Sequence, residues 1–261
     1  MSASTTSSAL PHPRPLVLLS NDDGHDAPGI RALERALRTA FDVVLVAPAT
    51  EQSATSHSLS LHRPLRAVAL GDAAFSIDGT PADCVYIALH AGDRFLPRRP
   101  DLVMSGINRG LNLGQDVFYS GTVAAAREGA LRGLPALAVS AHPAADLARI
   151  GALCVRLGQS ILSAPKDTET PLLNLNVPEH WDGSVVPART GKRLYDEVVD
   201  VRRDPRGREY IWLGGPGVRH EPEAGTDTQA YDDGKAPLTR LGLHLTARGG
   251  SDLCRHLVES L

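Results

Sequence analysis

A strand, helix, strand pattern near the start of the chain limits the possible folds more than any other feature. Leu16 to Leu19 is a short, fully apolar run, preceded by Pro15 and followed by Ser20-Asn21-Asp22-Asp23-Gly24. Such a run reads as a strand covered on both faces that ends in a polar loop. Pro28-Gly29 then opens a helical pattern in which Ile30, Leu33, Leu37 and Ala40 share one face. Val43 to Ala47 is a second apolar run, closed by Pro48. Strand, helix, strand at this spacing is a βαβ unit, which requires a parallel sheet and a right-handed crossover.

The alternation continues downstream. Candidate strands lie at Leu102 to Met104, Leu134 to Ser140 and Leu172 to Val177, with candidate helices at Thr122 to Leu131 and Leu147 to Leu162. The pattern predicts an α/β fold built on a Rossmann-like, doubly wound, mostly parallel sheet, with ligands expected beyond the carboxyl ends of the strands. After Pro178 the texture changes to strand-like pieces such as Glu209 to Leu213 among Gly, Pro and charged residues. The expected organisation is a disordered tail over 1–15 and a catalytic core over 16–178. A C-terminal β-hairpin extension over 179–233, suited to oligomer contacts, precedes a returning strand (Leu241 to Thr246) and helix (Leu253 to Val258) over 234–261.

Composition excludes some functions. With 27 Lys+Arg against 30 Asp+Glu the net charge is -3, which argues against a partner that is a nucleic-acid polymer held by a basic face. No apolar run approaches the length of a membrane span. The tail is rich in Ser, Thr, Ala and Pro and lacks the pattern of a secretory signal. Cys84, Cys154 and Cys254 form no CxxC pair, so reduced thiols in a cytoplasmic protein are expected.

Four loops carry candidate chemistry. Asn21-Asp22-Asp23-Gly24 makes a good turn, but at the end of the first strand its two adjacent carboxylates also suit a hard divalent cation. Ser53, beside Gln52 after the second strand, is either a neutral metal ligand or an ordinary loop residue. Ser105 to Gly114 is a long Gly/Asn-rich connection in which Asn108 offers an amide oxygen. Ser120-Gly121-Thr122 opens a helix, and either caps it or presents N–H and hydroxyl donors to an anion. His57 and His62 lie near the second loop and are ordinary surface or core histidines unless the substrate reaches them.

Six fragments occur in order: Leu18-Leu19-Ser20-Asn21-Asp22-Asp23-Gly24; Ala27-Pro28-Gly29-Ile30; Ala47-Pro48 with Gln52-Ser53; Gly79-Thr80-Pro81-Ala82-Asp83-Cys84-Val85; Ser105-Gly106-Ile107-Asn108-Arg109-Gly110-Leu111-Asn112; and Tyr119-Ser120-Gly121-Thr122-Val123-Ala124-Ala125. The set resembles the survival protein SurE family of metal-dependent nucleotidases, densely from Leu16 to Ser140 and more weakly through Leu175-Asn176-Val177-Pro178 and Thr226-Asp227. It departs from that family's pattern at Ala236-Pro237-Leu238-Thr239. The resemblance implies hydrolysis of nucleoside 5′- and 3′-monophosphates. It further implies one Mg²⁺ or Mn²⁺ per subunit held by Asp22, Asp23, Ser53 and Asn108, with Asn112, Ser120, Gly121 and Thr122 around the phosphate and Asp22 or Asp23 handling the attacking water. A homodimer or homotetramer is expected. A broader phosphatase acting on other phosphomonoesters or short polyphosphate, and a non-catalytic nucleotide-binding regulator, are the alternatives. A signalling receiver domain is disfavoured, because the third strand leads into Ser105-Gly106-Ile107-Asn108 with no acceptor aspartate and the chain is much longer than such a domain.

Overall fold

The structure is a computed structural model that describes residues 14–165, 169–196, 198–215, 217–246 and 250–261. The tail expected over 1–15 therefore lies almost wholly outside the described residues. In chain order the elements are β1 (Leu16–Ser20), α1 (Pro28–Leu37), β2 (Asp42–Pro48), β3 (Ala67–Gly71), β4 (Ala74–Ile77), α2 (Pro81–His90), β5 (Leu102–Arg109), α3 (Gly121–Leu131), β6 (Ala136–Ala141), α4 (Leu147–Ser163) and β7 (Leu172–Val177). They are followed by β8 (Val185–Ala188), β9 (Arg193–Tyr195), β10 (Val199–Arg203), β11 (Glu209–Leu213), β12 (Val218–His220), α5 (Asp227–Asp232), β13 (Ala236–Leu241) and α6 (Gly250–Glu259).

One nine-stranded sheet organises the molecule in the order β3-β4-β2-β1-β5-β6-β7-β13-β8. Its parallel centre, β4-β2-β1-β5-β6-β7, reproduces the Rossmann arrangement of six strands. β1 is the pivot: Leu19 registers with Leu45 of β2 on one side and with Met104 of β5 on the other. The chain leaves β1 toward one edge and returns as β5 on the opposite side, so the topological switch point falls between these two strands. In open α/β sheets the ligand crevice forms at such a point.

The central strands read as apolar runs because both faces are covered. Val17 and Leu19 join Ile30, Leu33 and Leu37 of α1 and Leu153 of α4 in one cluster. Leu16 and Leu18 join Cys84 and Val85 of α2 and Ala125 and Ala126 of α3 in the other. Each fully buried Leu or Val stabilises the fold by roughly 1.5–3 kcal/mol relative to its exposed state. The helix starts are specified locally. Pro28 begins α1, Thr80 and Asp83 form a reciprocal capping box on α2, and Ser120 accepts from Val123 N–H at the start of α3.

Four sequence expectations change here. The third strand does not stop at Met104 but runs on as β5 through Arg109, so the first half of the Gly/Asn motif, Ser105 to Arg109, is strand rather than loop. The register against β6 shifts between Ser105 and Asn108. Gly106 is required there: its φ is +127°, and a Cβ would lie 2.2 Å from the Val139 carbonyl oxygen. The next strand begins at Ala136 rather than Leu134. The returning strand is β13, at Ala236–Leu241 rather than Leu241 to Thr246, and it pairs antiparallel with β7. Finally, the sheet does not end at β7, because β8, from the stretch read as a hairpin excursion, pairs parallel with β13. Two small antiparallel pairs, β10–β11 and β9–β12, complete that stretch.

Candidate active site

The carboxyl ends of β1 and β5 and the loop after β2 converge on one cavity of about 320 Å³, lined among others by Asp22, Ser53, Asn108, Asn112 and Ser120. The loops are laced by their backbones. Gln52 N–H donates to the Asp22 carbonyl at 2.7 Å, and Ser56 N–H donates to the Tyr119 carbonyl at 3.0 Å. The turn after β1 is held by Asn21, whose Nδ2 donates to the Gly24 carbonyl at 2.8 Å.

Asp22 is 4% exposed. Burial pushes its carboxyl up to about 6, and the adjacent Asp23 adds to the rise; the hydroxyl and backbone N–H of Thr122 oppose it. Asp23 is also raised, first by burial, then by Glu51, while Arg109 works against the rise through its backbone N–H and its charge. That N–H donates to Asp23 Oδ2 at 3.0 Å. Among the described residues no cationic side chain forms an ion pair with Asp22.

The start of α3 faces this carboxylate. Thr122, fully buried, donates its hydroxyl to Asp22 Oδ1. A Cβ on Gly121 would sit 2.8 Å from Asp22 Cβ, so only glycine lets the helix approach this closely. Ser120 lines the cavity, whereas Gly121 and Thr122 stand behind Asp22. Donors expected to meet an anion are thus in part committed to Asp22 itself.

Asn108 Nδ2 donates to the Gly110 carbonyl at 3.1 Å, which turns its amide oxygen away from that contact. The Ser53 hydroxyl donates to Glu51 at 2.8 Å. Asn112 is fixed on three sides: its N–H donates to Asn176 Oδ1 at 2.7 Å, its Nδ2 to Ser140 Oγ at 2.7 Å, and its carbonyl accepts from Asn174 Nδ2 at 2.8 Å. Carboxylate, hydroxyl and amide oxygens form a hard donor set that suits Mg²⁺ or Mn²⁺ better than zinc. Asp22, buried and raised by desolvation and by Asp23, and the partly buried Asp23, raised by desolvation and by Glu51, are groups that a bound cation would stabilise in ionised form. The residues therefore fit a divalent metal.

Sequence reading missed one wall of the cavity. Asp116, Arg193 and Tyr195 also line it. Arg193 and Tyr195 lie on β9, more than seventy residues from Asp116, and no local periodicity marks them. Asp227, fully buried at the start of α5, holds this wall against the core: its two oxygens accept from Gly114 N–H at 2.9 Å and Gly191 N–H at 2.7 Å. His57 is elsewhere. Its Nε2 lies 2.8 Å from Glu128, and both border a separate cavity of about 760 Å³. His62 is exposed.

A family model described as Survival protein SurE matches residues 17–197. The chain belongs to the SurE family. It is 57% identical over 237 residues to a protein of Sorangium cellulosum named 5′-nucleotidase SurE, covering 90% of this chain and 92% of that one. A protein of the same name from Geobacter metallireducens is 45% identical over 239 residues, covering 88% and 92%. The crystal structure of the SurE protein from Aquifex aeolicus superimposes with a TM-score of 0.79 at 36% identity, covering 93% of this chain and 99% of that one. The SurE fold thus accounts for both the parallel sheet and the strands added after β7.

Proposed function

We propose that this SurE-family chain is a metal-dependent nucleotidase that hydrolyses nucleoside 5′- and 3′-monophosphates to nucleoside and phosphate. The relatives' shared name supports the 5′ activity. The observation that carries the metal dependence is the Asp22–Asp23 pair: two raised carboxyls at the switch point of the sheet, with Asp22 buried and no ion-pair partner for it among the described residues.

In this reading Asp22, Asp23, Ser53 and Asn108 hold one Mg²⁺ or Mn²⁺. When bound, the metal supplies a Lewis acid for the phosphoryl oxygens and lowers the pKa of a water. Asp22 or Asp23 would orient the attacking water and take its proton. The water oxygen forms a bond to phosphorus, the ester P–O bond breaks, and the departing nucleoside oxygen takes up a proton. Ser120 donates toward the equatorial oxygens, where charge is stabilised. Gly121 and Thr122 act from behind Asp22 by fixing its carboxylate, and Asn112 borders the phosphate from the cavity wall.

The same reading includes a homodimer or homotetramer in a cytoplasmic setting. β10–β11 leaves Val199, Val201, Tyr210, Ile211, Trp212 and Leu213 exposed, and an isolated two-stranded hairpin is marginal in water without a covering surface. Among the described residues no helix is long and apolar enough to cross a membrane.

A phosphate-release screen tests the substrate class. It compares nucleoside 5′- and 3′-monophosphates, p-nitrophenyl phosphate and tripolyphosphate. Preference for the nucleotides is expected. Equal turnover of all four supports the broader phosphatase, and none at all supports a binding protein.

A further inference from the structure

The wall formed by Asp116, Arg193 and Tyr195 faces the same cavity as Asp22, Asn108 and Ser120, yet the proposed chemistry leaves it without a role. It is built with care. Arg193 Nη1 bonds one oxygen of the Asp116 carboxylate, and the Tyr195 hydroxyl donates to the other at 2.7 Å. Gln115 brackets the backbone of Arg193, accepting from its N–H at 2.9 Å and donating to its carbonyl. The Arg193 guanidinium carbon lies 5.3 Å from the centre of the Tyr195 ring. Both ion-pair partners are largely buried, at 14% and 12% exposure, and Arg193 Nε is buried with no hydrogen-bond partner among the described residues.

Burying an arginine–aspartate pair is costly unless it provides something else, because desolvation offsets most of the attraction. Asp116 neutralises Arg193, so this wall carries N–H donors and a carboxylate acceptor with little net charge. A phosphate dianion is drawn instead to the metal pole and the start of α3. A neutral polar group such as a sugar diol is what a paired guanidinium and carboxylate can hydrogen-bond from both sides. Tyr119 and Tyr195, both exposed at the cavity, add aromatic faces of the kind on which a base packs.

We propose that Arg193, held in place by Asp116 and Tyr195, reads the nucleoside part of the substrate by hydrogen-bonding the ribose hydroxyls, and so sets the preference for nucleotides over sugar-free phosphomonoesters. This rests on the nucleotidase reading. It gives the segment that carries β9 a role in specificity.

The test is the ratio of kcat/KM for a nucleoside 5′-monophosphate to that for p-nitrophenyl phosphate, measured in wild type, Arg193→Ala and Tyr195→Phe. Arg193→Ala lowers the ratio at least about tenfold, mostly through the KM of the nucleotide, because a charged hydrogen bond to a substrate hydroxyl is lost. Tyr195→Phe, which removes one hydroxyl from a half-exposed side chain, lowers the ratio about threefold and decides the matter if the arginine variant does not fold. An unchanged ratio, with both substrates slowed alike, overturns the proposal while leaving the nucleotidase reading intact. A wild type that turns over p-nitrophenyl phosphate but not nucleotides overturns both.

Discussion

Thr122 and Asp22 are a hundred residues apart in the chain, and the buried hydroxyl of Thr122 donates to Asp22 Oδ1 where α3 begins beside the end of β1. Thr122 therefore holds in one orientation the Asp22 carboxylate, a metal ligand in the proposed mechanism. Thr122→Val keeps the volume and removes the donor. It is expected to lower kcat about tenfold or more, and to cost about 1–3 kcal/mol of stability by leaving a buried acceptor unsatisfied. Thr122→Ser restores the donor and most of the activity. Steady-state kinetics and denaturant melts on the two variants check this.

The raised carboxyl of Asp22 makes the metal-free protein sensitive to pH. The folded state holds this proton up to about 6, whereas an unfolded aspartate releases it near about 3.9. Between those values the folded state binds more protons than the unfolded one, so stability falls as pH rises through the window and levels off above it. In EDTA, Asp22→Asn should match wild type below about pH 4 and exceed it by at most about 3 kcal/mol above about pH 6. Denaturant melts across this range measure the difference. A constant difference at all pH values contradicts the burial argument.

The first βαβ unit and the loop after β1 were legible because β1 and β2 are covered on both faces, which leaves uninterrupted apolar runs such as Leu16 to Leu19. β5 runs beyond its apolar run although Gly106 and Asn108 are poor strand formers, because the register shift that accommodates them depends on β6. β13 was displaced onto Leu243 and Leu245, although Leu245 is 93% exposed. Arg193 was invisible because its meaning comes from Asp116, and that pairing exists only after the chain has folded back across the sheet edge. Asp22 and Ser53 follow β1 and β2, Asn108 lies at the carboxyl end of β5 and Ser120 caps α3, so all four reach one cavity at the switch point.

The exposed apolar residues of β10–β11 lead to an assembly prediction. Val199 and Val201 pair across the hairpin with Leu213 and Ile211, giving a small apolar face. Replacing residues 208–213 with a Gly/Ser linker should shift the protein from oligomer to monomer by light scattering. A monomeric wild type, or an unchanged oligomer in the variant, removes the assembly reading.

The most direct measurement is phosphate release from a nucleoside 5′-monophosphate by wild type, Asp22→Asn and Asp23→Asn, each stripped with EDTA and then given Mg²⁺ or Mn²⁺. The account predicts that stripped wild type is inactive and recovers with either ion, and that both folded variants stay at least about a hundredfold below it in kcat at saturating metal. Full activity of wild type in excess EDTA, or near-normal turnover in both variants, contradicts it.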